Sequence, residues 1–368
     1  MNQMFYDVVI IGCGPAGSEA GKMLGSRGFR TAIIDSRNEI GNPIRCQEIT
    51  RKSIMDFLKV SDYENIMSNS FDDILLSFGE TAGNIPLKIS NDRFAVFERD
   101  KFDKENAARA SLNGCDIFIR TLYLGYSRKS DGEITVNARK GSTDLQFTCR
   151  FLLNASGERE GGFCTPDKIT IKSHRVFLEG YYSGECRFSF QSLNGKNLKW
   201  YIPKRNPEAN LGIAFYGDQM TSLDPDRELN IFMKKITGKD RFFSTYSFTW
   251  ESAPREASAT YEDGVLYAGD AAGLRDPIIL SGFDRSIVSG NMAGNAIAQY
   301  LENFGSDAIE TYRTDLLDRY IKRNRRSCSV FKESYDEIER KIKDVNGEIE
   351  IPELSSYELF SLILGREI

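Results

Sequence analysis

The spacing of apolar positions changes character along the chain. Val8–Ile11 is an unbroken β-branched run, the pattern of a strand buried on both faces of a parallel sheet. Ser18–Gly25 reads as a helix and Thr31–Asp35 as a second strand ending in a carboxylate. A helix from Arg99 to about Asn113 and a strand over Asp116–Tyr123 continue the alternation. It resumes with a strand at Val265–Ala268 and a helix from Phe283 to Tyr300. Between these blocks, residues 169–250 break into short aromatic runs separated by Gly, Asn and Ser, which predicts an antiparallel sheet. Residues 306–345 are charged, with leucines and tyrosines at helical spacing. There is no internal repeat.

This pattern predicts an α/β protein in discontinuous pieces. A Rossmann-type domain takes about 1–80, 95–165 and 255–305, an antiparallel-sheet domain takes 81–94 and 166–254, and a helical region takes 306–368. A chain of 368 residues has room for two domains. Its apolar runs fall short of the ~20 residues a membrane-spanning helix needs, and no basic stretch precedes the first one. The expectation is a cytoplasmic protein. A net charge of -5 provides no general attraction to nucleic acid.

The seven cysteines stand singly, without the spacing of a disulfide framework, a zinc site or an iron–sulfur cluster. His174 is the only histidine, so a His-rich metal site or a Ser-His-Asp hydrolase has little support, and His174 reads as a surface or packing residue. No metal is expected. The chemistry has to come from an organic cofactor.

Two segments indicate which one. Gly12-Cys-Gly14-Pro-Ala16-Gly17 follows the first strand and opens the first helix. Gly12 makes the tight turn, Gly14 lets a pyrophosphate approach the backbone, and Gly17 allows close helix–strand packing. The helix amino terminus then faces the phosphates, and Asp35 stands where a ribose hydroxyl partner belongs. At the other end of the chain, the strand before Gly269-Asp270 delivers an aspartate to a turn, where it can accept a ribityl hydroxyl proton. The helix amino terminus beyond it can stabilise negative charge on a reduced flavin. Two such segments fit an extended FAD better than an exchanging NAD.

These residues, together with Glu39-Ile-Gly-Asn-Pro-Ile-Arg-Cys-Gln-Glu48 and Arg99-Asp-Lys-Phe-Asp103, resemble the FAD-dependent geranylgeranyl reductase family over roughly residues 5–300. The Pro-x-x-Cys-x-Glu loop is the most specific element. The resemblance implies the p-hydroxybenzoate hydroxylase-like fold. It also implies FAD contacts from Ala16, Asp35, Arg45, Cys46, Gln47, Ile49, Arg99, Tyr123, Asp270, Gly282 and Phe283. A family segment that lines the lipid pocket matches Leu198-Lys-Trp-Tyr-Ile-Pro203, which makes Trp200 and Pro203 substrate-binding candidates, with Gly212 beyond. Leu198 and Ile202 replace aromatics of the family pattern, and Leu280-Ser-Gly-Phe-Asp-Arg285 replaces a glycine-rich turn.

The activity implied is reduction of carbon–carbon double bonds in geranylgeranyl or other isoprenoid chains, in lipid biosynthesis. Cys46 is the candidate catalytic residue, as proton donor or positioning group, with Glu48 or an ordered water as the alternative proton source. The expected partners are a prenyl lipid and an external electron donor of the ferredoxin, NAD(P)H or deazaflavin type, with peripheral contact at the inner face of a membrane. Lys322-Arg-Asn-Arg-Arg326 is a candidate headgroup or donor contact, or a solvated helix face. Three other classes compete: an FAD monooxygenase or halogenase acting on a small aromatic, a quinone-linked electron-transfer flavoprotein, and a non-catalytic FAD-binding protein.

Overall fold

The computed structural model describes residues 3–59, 63–79, 84–157, 169–177, 184–191, 197–205, 207–216, 224–238, 242–252, 261–262, 264–302 and 305–367. Cys164 lies outside them.

The β-branched runs form the centre of the first sheet. Gln3–Ile11 lies between Thr31–Ile34 and Thr143–Asn154, all parallel. Asp116–Phe118 extends the parallel set on one side and Val265–Tyr267 on the other. The strand expected over 116–123 is broken at Arg120, which adopts a φ of 55°, and resumes as Thr121–Arg128. That second piece joins the antiparallel meander 121–128, 134–140, 143–154. Val8, Val9 and Ile10 are fully buried, as the unbroken run required.

Helix Pro15–Ser26 covers this sheet, and helix Phe283–Leu301 packs on it. The contact is close because it falls on glycines. A Cβ on Gly290 would stand 2.3 Å from the Ala16 carbonyl oxygen, and one on Gly294 would stand 2.9 Å from the Met23 Cβ. Four-residue spacing places both glycines on one helix face.

The second sheet runs 243–252, 169–177, 208–216, 197–203, 187–191, 73–78, 85–89, 349–351. Its alternation sets two faces. Leu198, Trp200, Ile202 and Ala214 belong to the core that the carboxy-terminal helices cover, whereas Tyr201, Leu211, Ile213 and Phe215 pack under helix Pro225–Thr237. Two boundaries differ from the sequence reading. Asp73–Phe78 pairs in this second sheet, since it bonds in parallel to Arg187–Gln191 from far along the chain. Ile349–Ile351 also joins it, alongside Ile85–Ile89, so the carboxy-terminal region is not purely helical. Non-local pairing decided both placements.

His174 packs in this sheet, with Nδ1 3.0 Å from Ser244 Oγ and its ring edge-on to Phe242. The basic cluster is drawn into the structure. Arg323 reaches Glu353 and Glu358 and lies over the Tyr357 ring, Lys322 pairs with Asp318, and Asn324 donates to the Arg275 carbonyl at 2.9 Å. Among the described residues no helix is long and apolar enough to cross a membrane.

Candidate functional site

The carboxyl ends of the parallel strands open into a cavity of about 400 Å³ that reaches the second sheet. Such a crevice is where an open α/β sheet binds its ligand, and the volume lies in the usual range for a cofactor site.

At one end the glycine turn behaves as its spacing predicts. Gly12 has a φ of 98°, and a Cβ there would meet the Ala155 carbonyl oxygen at 2.4 Å. A Cβ on Gly17 would meet the Gly12 carbonyl oxygen at 1.9 Å. A Cβ on Gly14 would meet nothing within 4 Å, so that face of its backbone is open to the cavity. Pro15 opens the helix and Ala16 lines the cavity beside it. Gly17 itself is a packing residue, off the cavity wall.

Asp35 is tied more tightly than the sequence suggested. Oδ2 accepts from the Cys13 N–H at 2.7 Å and from Arg37 Nη2 at 2.7 Å, and Oδ1 accepts from the Arg37 N–H at 2.8 Å and from its Nε at 2.9 Å. Burial would raise this carboxyl, but the Arg37 guanidinium and the two backbone donors outweigh it and hold it low. A ribose hydroxyl would therefore share Asp35 with Arg37. The sequence reading missed Arg37, although a cation two residues past the strand-end acid was visible there.

The loop 39–48 and helix Arg99–Leu112 form the next wall, with Arg45, Cys46, Gln47, Ile49, Arg99 and Tyr123 on the cavity. Arg99 Nε donates to Asp103 Oδ1 at 2.8 Å, and its guanidinium stands 5.5 Å over the Phe283 ring. Cys46 is half-buried, and its Sγ lies 3.2 Å from the Glu48 N–H. Burial pushes the Cys46 thiol up, against the opposing pull of the Arg99 cation, so the proton stays on sulfur at neutral pH.

On the far wall stand Gly269, Asp270, Gly282 and Phe283. Asp270 Oδ1 is buried with no hydrogen-bond partner. Burial raises its carboxyl to about 6, against the pull of Arg99 and Arg285. The Phe283 ring points away into a cluster, 4.5 Å from Phe97 and 4.9 Å from Phe102 between ring centres. Asp284 and Arg285 also turn outward. Asp284 approaches Arg51 at 3.5 Å, and Arg285 donates to the Leu274 carbonyl at 2.8 Å and lies over Tyr320. The charged pair that departs from the glycine-rich pattern therefore stands off the cavity wall, although the Arg285 cation still acts on Asp270.

The second sheet closes the cavity with Ile171 and Trp200. The Trp200 indole lies across Gly212, its cross-strand partner, so closely that a Cβ there would stand 2.0 Å from Cζ2. Its Nε1 donates to Asn210 Oδ1 at 2.9 Å. Pro203 is off the cavity, at the strand end, where its carbonyl accepts from Asn69 Nδ2 at 3.2 Å.

Behind the loop lies a buried charge network that sequence reasoning did not find. Glu48 is 1% exposed at a φ of 64°. Its Oε1 accepts from Lys204 Nζ at 2.9 Å, Arg175 Nη2 at 2.9 Å and the Arg99 N–H at 3.1 Å, and its Oε2 accepts from Asn210 Nδ2 at 2.9 Å. Glu98 shares both cations, at 3.0 and 2.9 Å. Glu48, Glu98 and Asp100 approach within 4.8 Å of one another, a spacing that suits a cation. Lys204 and Arg175 already supply two positive charges there. Burial would raise Glu48, but Lys204 and Arg175 hold it low. Its members come from four sequence-distant segments, around 48, 98–100, 175 and 204–210, so only Glu48 stood in a local pattern that could be read.

The residues present fit FAD. Gly14 offers bare backbone to a pyrophosphate, and the orphaned Asp270 Oδ1 awaits a hydroxyl donor across the same cavity.

Comparison with known proteins agrees. Residues 5–161 match the model of an FAD binding domain. The chain is 26% identical over 379 aligned residues to a digeranylgeranylglycerophospholipid reductase of Picrophilus torridus, an alignment covering 97% of this chain and 95% of that one. The fold is similar to that of a geranylgeranyl bacteriochlorophyll reductase-like protein of Thermoplasma acidophilum, with a TM-score of 0.82, 22% identity, and coverage of 99% and 96% of the two chains. A flavin-dependent brominase shares it at a TM-score of 0.71 and 18% identity, over 92% of this chain and 94% of the other. The resemblance to the geranylgeranyl reductases extends along most of the chain, and the fold is the hydroxylase-like flavoprotein fold.

Proposed function

We propose that this protein is an FAD-dependent oxidoreductase that reduces carbon–carbon double bonds of isoprenoid chains in lipid biosynthesis. The observation that carries the reading is the placement of Cys46. A thiol kept protonated by burial stands on the cavity wall where the cofactor-binding loop meets the Trp200 sheet.

Reduced FAD, when bound, supplies a hydride. An isolated alkene is unpolarised, so hydride attack needs a proton delivered to the other carbon. Cys46 Sγ holds that proton. Glu48, the other acid nearby, is unsuited to the task, because two cations and Asn210 keep it ionised and engaged. The Ala16 N–H, with Arg45 and Arg99, would hold the pyrophosphate. Asp35 takes the ribose and Asp270 the ribityl chain. Ile171, Trp200 and Leu280 exclude water from the reacting end.

An apolar chain has a continuation to enter. Gln47 lines both the main cavity and a second one of about 20 Å³, walled by Leu76, Phe188, Phe190, Ile279 and Leu359. That is room for about one water, so these side chains must part to admit a prenyl group. A halogenase reading is weaker. Among the described residues no lysine lines the cavity, and Lys204 is bound to Glu48 and Glu98.

The test is single-turnover reoxidation of dithionite-reduced holoenzyme by a prenyl lipid under strict anaerobiosis. Reoxidation coupled to loss of a double bond is expected without oxygen. Oxygen-dependent turnover alone would overturn the reading. Cys46→Ser should bind FAD normally and slow reoxidation by about 10²-fold, the scale of general acid catalysis. An unchanged rate would reduce Cys46 to a packing residue.

A further inference from the structure

The same cavity is lined by an arginine that neither the glycine motifs nor the resemblance assigns. Arg275 lines it between the Gly269-Asp270 turn and the start of helix Phe283–Leu301. Its backbone is fixed from behind. The Arg275 carbonyl accepts from Asn324 Nδ2 at 2.9 Å. The next residue, Asp276, accepts from the Ser356 N–H at 2.7 Å and its Oγ at 2.9 Å, and from the N–H groups of Ile278 and Ile279 at 3.0 Å each.

The side chain is placed by Gly282, the residue that caps the helix. A Cβ on Gly282 would stand 2.9 Å from Arg275 Cγ, 3.2 Å from its Cβ and 3.0 Å from Asp270 Oδ1. The Arg275 stem, the orphaned Asp270 oxygen and a positive helix end therefore converge on one point of the wall. Burial pulls the Arg275 guanidinium down to about 10, with Asp276 as the compensating charge, and it remains a cation at neutral pH. A buried cation gains most from an anion that forms beside it after desolvation.

We infer that Arg275 sets the redox poise of the bound flavin, favouring the anionic reduced ring over the neutral oxidised one. This rests on the FAD reading above. Two-electron reduction with uptake of one proton leaves one negative charge on the ring, and uptake of a second proton removes it. Arg275 stabilises the singly protonated, anionic form. The midpoint potential therefore rises, and the couple takes up one proton per two electrons near neutral pH.

The experiment is redox titration of the holoenzyme with dithionite between pH 6 and 8, for wild type, Arg275→Met and Arg275→Lys. The methionine variant should bind oxidised FAD within about threefold of wild type. It should lose at least tenfold in its preference for reduced flavin, a shift of about 30 mV to more negative potential for a two-electron couple. Its potential should also fall more steeply with pH, towards two protons per two electrons. Arg275→Lys, which keeps the charge, should recover most of the potential and the shallow slope, and it decides the matter if the methionine variant does not fold. A wild-type potential and slope in the methionine variant would overturn the inference, whether or not FAD binds more weakly. So would a lysine variant as negative as a charge-free one. Wild-type protein that binds no FAD would instead sink the functional reading itself.

Discussion

Replacing Glu48 by glutamine removes one charge and leaves volume and shape nearly constant, which makes it a clean probe of the buried network. The carboxylate accepts four hydrogen bonds, two from cationic side chains, at 1% exposure. Breaking a buried pair by removing one partner costs about 3–5 kcal/mol. Glu98 still holds Lys204 and Arg175 at 3.0 and 2.9 Å, so the loss should sit near the lower figure, about 3 kcal/mol. With a urea dependence of about 3 kcal/mol per molar, the unfolding midpoint falls by about 1 M at pH 7.

The pH dependence has a defined sign. The folded Glu48 carboxyl is held below its ordinary value of 4.5 by Lys204 and Arg175, against burial. Its stabilisation is complete above that ordinary value and is lost as pH falls through the folded one. The gap between wild type and Glu48→Gln should therefore be full at pH 7 and close progressively in acid below about 4.5. Urea titrations of both holoproteins from pH 7 to pH 3 check this. Equal midpoints at pH 7, or a gap that does not shrink in acid, would refute the argument that Glu48 is the ionised hub of this network.

Other changes test other walls of the cavity. Asp270→Asn should act with opposite signs on the two states. Removing a buried charge whose Oδ1 has no hydrogen-bond partner stabilises the apoprotein at pH 7, while FAD affinity falls roughly ten- to hundred-fold with loss of a charge-assisted hydrogen bond, as equilibrium dialysis and apoprotein melting would report. In wild-type apoprotein the raised Asp270 carboxyl costs stability as pH climbs from about 4 to about 6, a cost absent from the asparagine variant. Gly212→Ala places a Cβ 2.0 Å from the Trp200 ring and displaces the indole from Asn210. Overpacking and a stranded buried donor together cost about 2–5 kcal/mol, so the melting temperature should drop by at least about 5 °C. Arg323→Gln, at a partly exposed cluster with Glu353 and Glu358, should cost about 1 kcal/mol or less.

What the sequence alone determined is local or short in range. The unbroken run at Val8–Ile11, the three glycines after it, and the carboxylates closing two strands specify a dinucleotide-type crevice, because turn geometry and backbone exposure depend on adjacent residues. The resemblance added Cys46 and its loop, which the structure brings to the same cavity. Tertiary structure decided the rest, for reasons of pairing between distant segments. Asp73–Phe78 left the first sheet because its partner strand is Arg187–Gln191. Pro203 and Gly17 fell off the cavity, one at a strand end and one under the Gly12 carbonyl. Glu48 read in sequence as part of the Cys46 loop, whereas Glu98, Arg175, Lys204 and Asn210 read as scattered polar residues. Their burial is affordable only because each charge meets its counter-charge, and only the folded sheet brings those partners within 3 Å.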